Sequence, residues 1–126
     1  MKSKIIFTIM AVIYSIRAAG LLFAPAKFFE AYGSTLDTTG LWNAQFIGGA
    51  MLFICLINWF ASRNTDNPFV RNVIITNIVF EIVGTSLAIK GIALFNSLVY
   101  VAISVDALLL LLFVYLFFSD KAAIKK

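Results

Sequence analysis

The chain has no histidine and a single cysteine, Cys55, among its 126 residues. Without histidine, His-ligated haem, His-based zinc or copper sites and histidine proton relays are excluded. With one cysteine, neither an intrachain disulfide nor a cysteine metal cluster can form, so no metal and no cofactor is expected. Charge is also scarce, at 13% of residues against about a quarter in soluble domains. Only two prolines occur, and no long polar stretch offers a disordered tail or an extramembranous domain.

What is present is apolar. Hydrophobic residues make up 62% of the chain, thirteen of them Phe, and the mean hydropathy is +0.99. The composition is that of an integral membrane protein with one compact membrane domain, embedded in a lipid bilayer. The net charge of +4 does not point to nucleic acid, because the basic residues are scattered and gather at the chain ends and in one short connector. Membrane topology accounts for that distribution.

A spanning helix needs about 20 mostly apolar residues to cross a core of about 30 Å. Four segments qualify, at about 4–24, 41–61, 69–90 and 97–118. Their apolar runs are continuous rather than alternating, which excludes barrel strands. The expected fold is an all-α bundle of four transmembrane helices, since lipid leaves backbone groups no partner outside a helix. With four spans, both termini and the middle connector share one side. That side carries Lys2, Lys4, Arg63, Arg71, Lys121, Lys125 and Lys126, and the other only Lys27 and Lys90. The bias predicts cytoplasmic termini. Trp42, Trp59, Tyr32 and Tyr100 fall near span ends, as interfacial aromatics do, whereas Tyr14 and Tyr115 lie deeper.

The N-terminal run is longer than the hydrophobic region of about 7–15 residues found in signal peptides and contains Arg17, so it is read as a retained span. In the first connector, Pro25 suits a helix start and Gly33 a helix end, which predicts a short interfacial helix at about 25–32. Its Phe28, Phe29 and Tyr32 read as anchors of a tether, with a lid over an entrance as the alternative. No internal repeat aligns the two halves. The closing KAAIKK is read as a stop signal with affinity for anionic lipid.

Three ionisable residues stand alone inside three apolar runs: Arg17, Glu81 and Asp106. At 1.5 Å per residue, Arg17 and Asp106 lie about 18 Å from the terminus-side edge and Glu81 about 12 to 16 Å from it. All are near the midplane, where a lone charge costs several kcal/mol without a partner or a water-filled cavity. Asn77 shares a helical face with Glu81, as Tyr14 does with Arg17, and the second span offers Gln45. These six residues form the candidate polar site. In the second span Ala44, Gly48 and Gly49 are the small residues expected to let helices approach. One guanidinium against two carboxyls leaves a charge imbalance, so one carboxyl is expected to be protonated at neutral pH. The plainer alternative is that the charges only fix helix register.

The segment YSIRAAGLLFAPAKFFEAYG, residues 14–33, resembles the start of small bacterial four-helix membrane proteins of the DoxX-like group. Arg17, Gly20, Pro25, Phe29, Tyr32 and Gly33 carry the match. The resemblance implies a multi-pass protein of the bacterial plasma (inner) membrane, in a group sometimes associated with quinone-linked respiratory or redox-stress systems. The chain has no CxxC motif, so cysteine redox chemistry does not follow.

Three functions compete. In the first, Arg17 attracts a small polar, anionic or lipid ligand and Glu81 or Asp106 carries a coupled proton, a binding or transport module. In the second, the protein is an accessory or assembly subunit docked on a larger membrane complex, a respiratory one being the example; a homo-oligomer, the other partner open to the chain, would count against it if no further protein came with it. In the third, ranked last because no catalytic motif is visible, Glu81 and Asp106 act as acid and base in an intramembrane lipid or isoprenoid isomerase.

Overall fold

The computed structural model describes residues 2–124, with side chains through Ser119. The KAAIKK tail, expected to touch anionic lipid, lies outside the described side chains. Among the described residues five α-helices are formed, α1 (Lys2–Phe23), α2 (Pro25–Ala31), α3 (Thr38–Arg63), α4 (Phe69–Lys90) and α5 (Leu98–Ile124), with a single 3₁₀ turn at Ile92–Leu94. No strand occurs among the described residues. The four long helices α1, α3, α4 and α5 are each long and apolar enough to cross a membrane. The all-α, four-span bundle expected from the apolar runs is the fold.

The boundaries differ where capping chemistry extends a helix. α3 begins three residues before Leu41, because the Asp37 side chain accepts a hydrogen bond from the Gly40 N–H at 2.7 Å. It continues through Ser62 and Arg63, where the Ser62 hydroxyl donates to the Trp59 carbonyl at 2.6 Å. Pro25 opens α2, and Gly33, at φ +75°, follows its end. That left-handed conformation suits a residue without a side chain.

Side-chain exposure is inverted relative to a soluble domain. Ile16, Phe46 and Leu111 point outward into what must be lipid, while the interior mixes apolar residues with Asn58, Asn77, Glu81 and Asp106. Trp42 and Trp59 are exposed near opposite ends of α3. Their 17-residue separation spans about 25 Å along a helix, which places them as interfacial anchors on the two membrane faces.

Packing neighbours run α1–α3, α3–α4, α4–α5 and α5–α1, a closed ring. Contact is most extensive within two antiparallel hairpins, α1 with α3 and α4 with α5. The first pairing depends on Gly48. A Cβ there would meet the Leu21 Cβ at 2.9 Å and the Leu22 backbone nitrogen at 3.1 Å, so α3 lies against the α1 backbone itself. Ala44, one turn earlier, is buried on the same face, whereas a Cβ on Gly49 would meet nothing within 4 Å. Of the small residues singled out in this span, Ala44 and Gly48 sit at the helix contact and Gly49 does not. Between hairpins, Phe7 of α1 and Phe113 of α5 pack with ring centroids 5.7 Å apart.

Replacing Gly48 by Val is expected to force α1 and α3 apart and cost about 1–3 kcal/mol, the usual range for overpacking. Gly49→Val should be close to neutral. Unfolding of both variants by dodecyl sulfate titration, followed by circular dichroism, checks the contrast.

Candidate functional site

Arg17 lies on the second turn from the end of α1 and Asp106 two turns into α5. The helix ring brings them together, with Arg17 Nη1 2.6 Å from Asp106 Oδ1. The same Nη1 donates to the Tyr14 hydroxyl at 3.2 Å, and the guanidinium carbon lies 5.0 Å from the centre of the Tyr14 ring. Tyr14, three residues earlier on α1, donates in turn to Glu81 Oε1 of α4 at 2.9 Å. Its ring packs edge-on against Phe80, which holds the hydroxyl in place. One continuous polar chain thus runs Asp106–Arg17–Tyr14–Glu81, from α5 through α1 to α4 on the far side of the ring.

The chain is well shielded. Glu81 is 1%, Tyr14 2% and Asp106 8% exposed. At the α4 end, Glu81 Oε2 and Thr85 Oγ1 are buried without a hydrogen-bond partner among the described residues, one turn apart on the same helix face. An ionised carboxylate with one bare oxygen in a membrane interior would be costly.

The remaining candidates lie elsewhere. Asn77 does not join the charged chain. It exchanges two hydrogen bonds with Asn58 of α3, Asn77 Nδ2 to Asn58 Oδ1 at 2.7 Å and Asn58 Nδ2 to Asn77 Oδ1 at 3.1 Å. Asn58 Nδ2 also reaches the Ile54 carbonyl at 2.9 Å. Both amides are fully buried. Asn58, five residues before the end of α3, thus lies inside the bundle. Gln45 is exposed and caps α1, donating from Nε2 to the Leu22 carbonyl at 3.2 Å.

Asp106 and Arg17 also border a cavity of about 150 Å³. Phe28, Phe29 and Tyr32 of α2 line it, together with Phe95, Val99 and Met51. The Phe28 ring rests on Gly20, and Phe28, Phe29, Tyr32 and Phe95 contact one another through their rings. Asn96 fixes this wall from the second hairpin, its N–H donating to the Tyr32 carbonyl at 2.8 Å and its Nδ2 to the Ala31 carbonyl at 2.9 Å. The connector read chiefly as a tether therefore also forms part of the cavity wall. The sequence groups its aromatics but gives no means of seeing Met51, Phe95 and Val99 beside them, since they come from two other parts of the chain, α3 and the entry to α5.

Chemically, this open cavity offers a guanidinium already paired with a carboxylate, bordered by aromatic and aliphatic side chains. A second anion could reach Arg17 only by sharing it with Asp106 or displacing it. Asp106→Asn is expected to destabilise the fold by about 2 kcal/mol, less than the roughly 3–5 kcal/mol lost when a fully buried pair is broken, because Arg17 keeps Tyr14. The double variant Arg17→Gln/Asp106→Asn should lie closer to wild type than the sum of the single changes, as a double-mutant cycle of dodecyl sulfate unfolding can measure. Comparison of the chain with protein-family models, with curated proteins and with solved structures found no match, so its function has to be argued from these residues.

Proposed function

We propose that the protein is a proton-linked binding or transport module for a small organic anion with an apolar body, and that Arg17 is the anion's counter-charge. The observation that carries this is the placement of the Arg17–Asp106 ion pair on the border of an aromatic-walled cavity of about 150 Å³. That volume admits a few non-hydrogen atoms beyond an anionic group. Phe28, Phe29 and Val99 suit an aliphatic or aromatic body, while Arg17 suits a carboxylate or phosphonate.

Charge counting supplies the proton linkage. In a low-dielectric interior one guanidinium neutralises one anion. When a ligand anion takes Arg17, the displaced Asp106 has no cation left and takes up a proton. Anion and proton then enter together with no net change of charge in the site. Glu81, held by Tyr14 and with one oxygen bare, is neutral throughout and anchors Arg17 indirectly through the tyrosine. The DoxX-like resemblance and a bacterial inner-membrane location with cytoplasmic termini are compatible with such a module and belong to the same proposal.

The sign of the pH dependence follows. Because binding takes up a proton, affinity is expected to fall as pH rises, approaching about tenfold per unit. Butyrate, benzoate and methylphosphonate are suitable probes, with binding to the detergent-solubilised protein followed by saturation-transfer NMR and proton uptake by an indicator dye in weak buffer. Arg17→Gln should lose binding. Asp106→Asn should bind without taking up a proton and without the pH slope, and Glu81→Gln should leave both intact. Wild-type proton uptake that persists unchanged in Asp106→Asn would sink the mechanism.

A further inference from the structure

A larger cavity, about 850 Å³, lies at the other end of the bundle, where the starts of α1 and α4, the 64–68 connector and the last turns of α5 converge. It shares no residue with the Arg17 cavity. Two cations border it, Lys2 and Arg71. Aromatic rings hold both in place: Lys2 Nζ donates to the Tyr115 hydroxyl at 3.2 Å, and the Arg71 guanidinium lies 5.6 Å from the centre of the Phe117 ring. Among the described residues neither cation forms an ion pair. Asp66 is the one carboxylate on the described border, set against hydroxyl and amide groups of Ser3, Thr65, Asn67 and Ser119.

The deeper wall is apolar. Val70, Ile74 and Leu116 line the cavity and are themselves core residues, 7%, 2% and 5% exposed. A polar, net-basic rim above an apolar wall matches a molecule with an anionic head and a hydrocarbon body. The level is also that of lipid headgroups, because Trp59 anchors this end, with the Arg63 guanidinium 4.6 Å from the centre of its ring. The volume far exceeds that of a free phosphate.

We infer that this cavity holds the headgroup of an anionic phospholipid, with the phosphodiester between Lys2 and Arg71 and the glycerol and first acyl carbons against Val70, Ile74 and Leu116. Basic pockets between spanning helices are a recurrent way of holding such headgroups. The bound lipid joins α1, α4 and α5 at the end of the bundle opposite α2. The site is independent of the proposed function, and loss of either leaves the other standing.

The test uses full-length protein in nanodiscs of phosphatidylcholine with a minor fraction of phosphatidylglycerol, released into mild detergent for native mass spectrometry. Wild type should retain phosphatidylglycerol in preference to phosphatidylcholine. Lys2→Gln/Arg71→Gln should weaken that retention roughly 30-fold, from about 1 kcal/mol per basic group. Lys4→Gln/Arg63→Gln, which removes equal charge from the same end outside the cavity, should retain it, as should Lys2→Arg/Arg71→Lys. Equal loss in both neutralised pairs would show diffuse surface attraction and overturn the site, as would the absence of any preference in wild type, which needs no variant to fold. Displacement of the lipid by millimolar inorganic phosphate would make this a free-phosphate site and overturn the lipid assignment.

Discussion

A guanidinium inside a membrane must have a counter-charge, and the arrangement of the helices answers that requirement. Arg17 cannot shed its proton, and at the middle of a span it is too deep to reach headgroups at little cost. Asp106 meets it from α5 at 2.6 Å, and Tyr14 fills a second donor direction. Holding that contact fixes the height of α1 relative to α5. Through Tyr14 and Glu81 it also fixes α1 relative to α4, on the opposite side of the ring.

The division of labour between apolar and polar contacts follows the hairpins. Within the first hairpin, small residues bring backbones together, with Gly48 of α3 against Leu21 and Leu22 of α1. Between hairpins lie the buried polar links: Arg17–Asp106, Tyr14–Glu81 and Asn58–Asn77. Lipid tails compete with apolar helix contacts on nearly equal terms, but they offer nothing to an amide or a charge. A polar link therefore selects one pairing of hairpins out of many that apolar packing alone would leave close in energy. The same property makes the seam chemically active, since a ligand with the right charge can take over a partner that lipid cannot.

The two ends of the bundle are built for different company. At the end bearing α2, aromatic rings close over the charged seam, and Asn96 ties that wall to the second hairpin. At the end bearing the termini, Lys2, Lys4, Arg63 and Arg71 are set against Asp66 among the described side chains. A sheltered charge pair and an open basic cavity thus occupy separate levels of the bundle and share no lining residue.

How much of this was legible differs from residue to residue. Apolar runs of spanning length determined the four helices and their antiparallel order, because lipid allows a single chain little else. Isolation in those runs singled out Arg17, Glu81 and Asp106, and spacing on α1 placed Tyr14 beside Arg17. Spacing could not say which helix faces which, so Asn77 was grouped with Glu81, its neighbour one turn away, when its partner is Asn58 across the α3–α4 contact. Asn58 is an uncharged amide three residues inside the expected end of its span, and nothing in the run itself singles it out. Neither cavity could be read from the chain, since each is assembled from segments far apart in sequence. The sequence by itself determined that charges are buried and at what coarse depth, through the cost of ions in hydrocarbon. Only the tertiary structure decided which charge meets which and what surrounds them, because pairing depends on helix rotation and height, and one-dimensional periodicity leaves both free.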